Sequence, residues 1–419
     1  MKRSVSPREL PYGNRRRWLK ALGAAGAGAG LLSPSVRALA AVTAPGEVTL
    51  PFGNGTRELV AFPQKRPLIL FTTRPPQLET PFEVFNDGLI TPNDAFFVRY
   101  HWSGIPTNIN PDAFRVKVSG HVDTSLELSL ADLRQMGDPV SLVAVHQCSG
   151  NSRGFVTPRV GGGQLGNGAM GNAKWTGVPL KRVLEKAGLK PGAVQISFNG
   201  LDNPPLPGSP DFVKALDIDH ATDGEVMLAW AMNDQDLPML NGYPLRLVVP
   251  GYYGTYWVKH VNDIQVLDKA FGGFWMSTAY RIPANACACT PPGKGPAKTV
   301  PIGRFNVRSF ITSVQDGARL EAGRQVVLRG IAFDGGQGIA EVNISSDGGK
   351  TWQAARLGEE LGRYSFREWK ANFRPPAKGG YELRVRAVNR AGQSQPMEAL
   401  WNPAGYMRNV VETVRVTAV

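Results

Sequence analysis

Val143-Ala144-Val145-His146-Gln147-Cys148-Ser149-Gly150-Asn151-Ser152-Arg153-Gly154 begins as an apolar run and breaks at a cysteine into small and polar residues. Its β-branched character predicts a strand over Val140–Val145, with Cys148 just past the strand end on a loop that has free backbone N–H groups. An arginine follows five residues later, and nearby positive charge favours the thiolate, the form that binds metals or attacks electrophiles. On these residues alone three readings stay open. Cys148 is an inert buried thiol, a nucleophile served by one of His101, His121, His146, His220 or His260, or a soft metal ligand.

Working outward, Phe114–Val118 and Leu245–Val249 also read as strands, and Leu130–Met136 as a short helix. Pro179–Ala187 reads as a helix with Leu180, Val183, Leu184 and Ala187 on one face, stopped by Gly188. Long Gly/Pro loops (157–171 and 203–210) separate these elements, which suits an α+β part over residues 41–290 with functional loops. Residues 291–304 begin with a low-complexity stretch and read as a linker. Beyond it, residues 305–419 are all-β by pattern. Gln325–Phe333 alternates, Asp347-Gly348-Gly349 signals a hairpin turn, and Tyr381, Leu383, Val385 and Ala387 alternate with charged residues. Short strands with turns every ten or so residues describe a sandwich of immunoglobulin type.

The 419 residues suggest two or three domains, and 42% hydrophobic with 19% charged residues marks a globular chain. Of the net charge of +13, seven units sit in residues 1–40, which hold eight basic side chains and one acid. The remainder is scattered, which fits an anion pocket better than a nucleic-acid groove. Residues 1–40 read as an export signal. Arg15-Arg16-Arg17-Trp18-Leu19-Lys20 resembles the twin-arginine pattern, an Ala/Gly-rich run follows from Ala21 to Leu32, and Ala38-Leu39-Ala40 supplies a cleavage site. That run is too short to span a bilayer, so no membrane span is expected and the mature chain is expected in the periplasm. Cys287 and Cys289 read as loop thiols, because closing a ring through one intervening residue strains the bridge. No Cys-x-x-Cys-His attaches a haem. His121 and His220 read as surface residues.

The segment around Cys148 resembles the molybdenum-ligating loop of the sulfite oxidase family, and the match is not local. Thr91-Pro92-Asn93-Asp94-Ala95-Phe96-Phe97-Val98-Arg99-Tyr100-His101 resembles the family's Thr-Pro-Asn…Phe-Phe-x-Arg-x-His stretch, and Trp175-Thr176-Gly177-Val178-Pro179-Leu180 its Trp-x-Gly-x-x-Leu. Leu228-Ala229-Trp230, Leu237-Pro238, Gly242-Tyr243-Pro244 through Pro250-Gly251, and Val258-Lys259 resemble its cofactor-binding block. Trp401-Asn402-Pro403 resembles the Trp-Asn near its C-terminus. The resemblance covers nearly all of residues 80–419 in order.

This resemblance implies a molybdenum–molybdopterin cofactor with Cys148 as the one protein ligand to the metal, and oxidation of sulfite to sulfate. It implies Arg99, His101, Arg153 and Arg408 around the oxyanion, with Tyr280 as a hydrogen-bond donor there; guanidinium forks match oxyanion geometry. Phe97, Asp202, Arg246, Trp257 and Lys259 would grip the pterin and its phosphate. Asn241 stands where many members carry a histidine, so its amide would make or alter that contact, and His260 replaces a common tryptophan. The haem b domain of animal members is not found, so electrons would pass to a c-type cytochrome, as in bacterial sulfite dehydrogenases. The C-terminal domain would support a homodimer. Rival readings are a sulfane dehydrogenase subunit with the same fold and cofactor, a reductase of S-oxides, and a cofactor-free adhesion module.

Overall fold

The computed structural model describes residues 46–49 and 55–419; the export signal read over residues 1–40 lies outside them. The chain is mostly β. Among the described residues the helices are short, the longest being Leu180–Ala187, so the expected α+β character is corrected toward strands joined by long loops. Gly and Pro, at 48 and 33 residues, end helices early and supply the turns that strands need.

The first sheet is a ribbon of Glu47–Thr49, Thr56–Val60, Leu68–Thr73, Pro76–Glu79 and Val98–Arg99, and its last strand delivers Arg99. The second runs in the order Lys214–Asp217, Gln195–Gly200, Val261–Leu267, Val116–Gly120, Leu126–Leu128, with one parallel pairing, Val261–Leu267 on Val116–Gly120. The third is Gln235–Asp236, Met227–Met232, Met170–Pro179, Val140–Gln147, and Arg246–Val248 pairs with Met227–Met232. Val140–Gln147 bonds along its whole length to Met170–Pro179. This strand runs through the predicted Val140–Val145 and ends one residue before Cys148.

Helix Leu180–Ala187 buries Leu180, Val183, Leu184 and Ala187, the four residues its 3.6-residue period puts on one face. Gly188 at φ 71 ends it, and a Cβ there would stand 2.6 Å from Asp123 Oδ2. The shorter helix Leu130–Arg134 starts from a capping box between Ser129 and Asp132.

Residues beyond 305 form two sheets. One orders Arg308–Ile311, Val326–Phe333, Arg367–Phe373, Arg356–Glu360; the other Ala318–Leu320, Thr413–Ala418, Gly379–Asn389, Ile339–Ser345, Gln353–Ala354. Alternate residues from both (Leu328, Trp369, Val342, Ile344, Leu383, Val385, Ala387) meet in a shared core. The stretch read as a linker is structured. Thr299–Pro301 pairs with Arg281–Pro283, and Ile302 is fully buried. Phe305, Phe310, Phe333 and Phe366 belong to the same apolar cluster as residues of the part before 290, so the two parts share a core rather than hang on a tether. Cys287 and Cys289 are joined by a disulfide with Cα atoms 5.1 Å apart, which overturns the reading as free thiols. Ala288 at φ 48 folds the chain back and brings the two side chains together. Among the described residues no helix is long and apolar enough to cross a membrane.

Candidate active site

Cys148 follows the strand Val140–Gln147 and is half-buried, with its N–H donating to Ala169 O at 2.9 Å. The loop turns at once. Asn151 N–H returns to Cys148 O at 3.0 Å, Asn151 Oδ1 accepts from Ala169 N, and Ser152 takes φ 70. Arg308, buried in the C-terminal sheet, donates to Ser152 Oγ at 2.9 Å and ties the loop to that part of the molecule. Beneath the 166–169 strap lies Glu79, which accepts from Gly166 N at 3.0 Å; burial pushes its carboxyl up to about 8. Arg153 packs where Gly150, Gly162 and Gly405 leave room, since a Cβ on any of them would fall within 3.0 Å of its side chain. Its Nε donates to Ala404 O at 2.9 Å, and its guanidinium lies 4.9 Å from the Tyr406 ring.

A narrow cleft opens beside Cys148. Phe97, Arg99, His101, Asp202, Trp257, Lys259 and Tyr280 line it with Cys148. Tyr280, at φ 56 between the turn Phe274–Ser277 and the strand Arg281–Pro283, turns its hydroxyl to His101 Nε2. Burial holds the phenol protonated, above its usual range. Burial, with the charges of Arg99, Lys259 and Lys214, keeps His101 neutral, well below the usual imidazole range. Lys259 donates to Arg99 O and sits 3.9 Å from the Tyr100 ring centroid. Its amine is lowered by burial and Arg246, while burial raises Asp202 against the opposing charge of Lys259. The result is a site with a cationic, proton-holding wall around a thiol.

Three buried polar atoms lining this cleft have no protein partner: His146 Nδ1, Ser149 Oγ and Thr255 Oγ1. Buried polar groups are almost always bonded, so three orphans on one cleft mark the wall that a polar ligand completes. Trp257 stacks on His146 at 4.7 Å and Phe97 lies tilted against it at 4.9 Å, offering an aromatic flank. A thiol, unsatisfied donors and acceptors, an aromatic flank and cations for a phosphate fit a molybdopterin.

Not every sequence-derived residue reaches the cleft. Arg153 stands outside its lining, with its guanidinium beside Tyr406. Asn241 is buried, but its amide is spent: Nδ2 donates to Phe97 O at 3.1 Å, and Oδ1 accepts from Lys65 Nζ at 2.5 Å. It fixes Phe97 instead of lining the cleft. Arg246 lies fully buried behind it, 4.9 Å from the Trp175 ring and 5.6 Å from Trp257, donating to Asn241 O and Trp257 O. Arg408 is paired with Glu412 and lies over Phe155, outside the cleft lining, so its charge is already offset. His260 bonds Tyr243 O and Tyr100 through its two ring nitrogens, which accounts for a histidine there. His220 lies against Tyr252 and is paired with Asp223, and His121 bonds Pro191 O; both are partly exposed, near the surface as expected. Sequence reasoning missed Tyr406, whose ring lies under the Arg153 guanidinium and stacks 5.4 Å from Tyr280. It also missed Thr255 and Lys214. The Trp401-Asn402 motif, four to five residues upstream, was the available signal for Tyr406.

Residues 102–275 match the family described as oxidoreductase molybdopterin binding domain, and residues 299–419 the Mo-co oxidoreductase dimerisation domain. The mitochondrial sulfite oxidase of Rattus norvegicus is 32% identical over 409 residues, covering 93% of this chain and 71% of that protein. The human enzyme is 33% identical over 363 residues, covering 82% and 64%. The chain thus spans about two thirds of these relatives' length. The sulfane dehydrogenase SoxCD from Paracoccus pantotrophus shares the fold, with a TM-score of 0.71 over 92% of this chain and 96% of that one at 24% identity. With its cleft built to hold a molybdopterin and its length matched in order, the chain belongs to the sulfite oxidase family of molybdenum-cofactor oxidoreductases.

Proposed function

We propose that this protein is a sulfite dehydrogenase, oxidising sulfite to sulfate and passing electrons singly to a c-type cytochrome. One observation carries the reading: a thiol and a cationic wall, Cys148 with Arg99 and Lys259, share one cleft with three unpartnered polar atoms. Sulfite and water give sulfate, two protons and two electrons. The bound molybdenum–molybdopterin supplies that two-electron chemistry, with Cys148 as its protein ligand and Phe97, Asp202, Trp257 and Lys259 around the pterin. Arg99 holds and orients the dianion, and the Arg153 charge adds to the field from beside Tyr406, outside the lining. The neutral Tyr280–His101 pair donates and receives a proton at the phenolic oxygen and imidazole Nε2. Asn241 and Arg246 support this wall from behind.

We propose export as well. The Arg15-Arg16-Arg17 pattern suits a chain folded around its cofactor before reaching the periplasm. We assign the two C-terminal sheets to the immunoglobulin type and propose that they mediate a homodimer, as the name of the matched domain suggests. The test is sulfite-dependent reduction of cytochrome c by the purified, molybdenum-containing protein. Turnover with free sulfite is expected. Inactivity with sulfite beside activity on a carrier-bound sulfane would overturn the assignment in favour of a sulfane dehydrogenase.

A further inference from the structure

Lys214 is a buried charged group that this chemistry leaves unused. It begins the strand Lys214–Asp217, opposite Phe198, and none of its surface is exposed. Stripping water from an ammonium costs several kcal/mol, and a buried lysine normally recovers that beside a carboxylate. Lys214 forms no ion pair among the described residues; it donates to Trp275 O at 2.6 Å. Its Nζ lies 4.6 Å from the ring centroid of Tyr256 and 5.3 Å from that of Tyr280. Tyr280 lines the cleft and bonds His101, whose proton affinity the Lys214 charge lowers. Of the charged groups on the packed elements, Arg281 is the one whose charge registers at the amine. Asp217, Asp219 and His220 belong to the strand end and the turn after it, where His220 is tied to Asp223. Burial, then Arg281, lowers the amine to about 7.

We propose that Lys214 is an electrostatic positioning residue for the oxyanion, its unpaired ammonium behind Tyr280 finding its counter-charge when a dianion occupies the cleft. This rests on the oxyanion reading of the site. Binding of the anion then favours protonated Lys214, so proton uptake accompanies it, and affinity falls as the amine loses its charge.

Sulfate, which stays dianionic throughout, is the probe, titrated calorimetrically into the holoenzyme. Its Kd should rise roughly tenfold between about pH 6 and about pH 8.5, the effect of one charge roughly 10 Å from an anion at an effective dielectric of about 20. Lys214→Met should bind roughly tenfold more weakly at the lower pH and show no such rise. Lys214→Arg, charged at every pH, should bind tightly and also show none. A purely structural residue would leave the slope in place, so the wild-type slope in either variant overturns the proposal. If Lys214→Met does not fold, the arginine variant and wild-type proton uptake decide. Sulfite turnover is scored separately: its failure with the sulfate slope intact removes the substrate assignment and leaves Lys214.

Discussion

Arg99 and Glu79 show how single residues carry different kinds of consequence. Arg99 meets the anion in the ground state, so Arg99→Ala should raise the sulfite KM by ~10–100-fold with a smaller effect on kcat. Steady-state kinetics with an unchanged KM would remove it from the pocket. Glu79 is held protonated by burial up to about 8, whereas the unfolded chain ionises near its ordinary value. A folded pKa raised above the unfolded one gives stability that is full below the unfolded value and lost as pH climbs to about 8. Thermal melts should therefore weaken over that window, and Glu79→Gln, neutral throughout, should flatten the profile. An unaltered profile would mean that other groups set it. Cys148, Arg99 and Tyr280 were legible because each sits in a local motif. Asn241 was not, because its partner Lys65 is 176 residues away and no local pattern announces that bond.

At the scale of elements, the helix Leu180–Ala187 could be read directly, since four apolar residues at helical spacing and a terminal glycine leave one solution. The stretch 291–304 could not. Gly, Pro and Lys look alike whether the backbone is solvated or, like Thr299–Pro301, paired to a strand. The Cys287–Cys289 bridge depended on the backbone reversal at Ala288, which composition does not reveal. The loop 401–406 is the element joining the C-terminal part to the site: Trp401 Nε1 donates to Pro158 O at 2.9 Å, and Asn402 Oδ1 accepts from Tyr406 N at 3.1 Å. Gly405 there has φ 60, and a Cβ would stand 2.6 Å from Val160 and 3.0 Å from the Arg153 side chain. Gly405→Ala should displace Arg153 and raise the sulfite KM by ~10-fold, roughly the worth of one charged hydrogen bond. Wild-type kinetics would show that the loop does not hold Arg153.

At the scale of the whole molecule, the catalytic part and the two C-terminal sheets share aromatic residues, with Phe85 and Phe366 in contact across them at 5.9 Å. Arg308 reaches from one part to Ser152 in the Cys148 loop of the other. Parts joined by a continuous apolar seam lose stability together, so calorimetry of the holoprotein should give one unfolding transition. Two separated transitions would mean the seam contributes little. All of this geometry converges on the Cys148 thiol at the cleft. X-ray absorption at the molybdenum edge tests it directly, comparing the wild-type protein with Cys148→Ser. The metal should lose one sulfur neighbour in the variant; an unchanged sulfur shell would show that Cys148 is not its ligand.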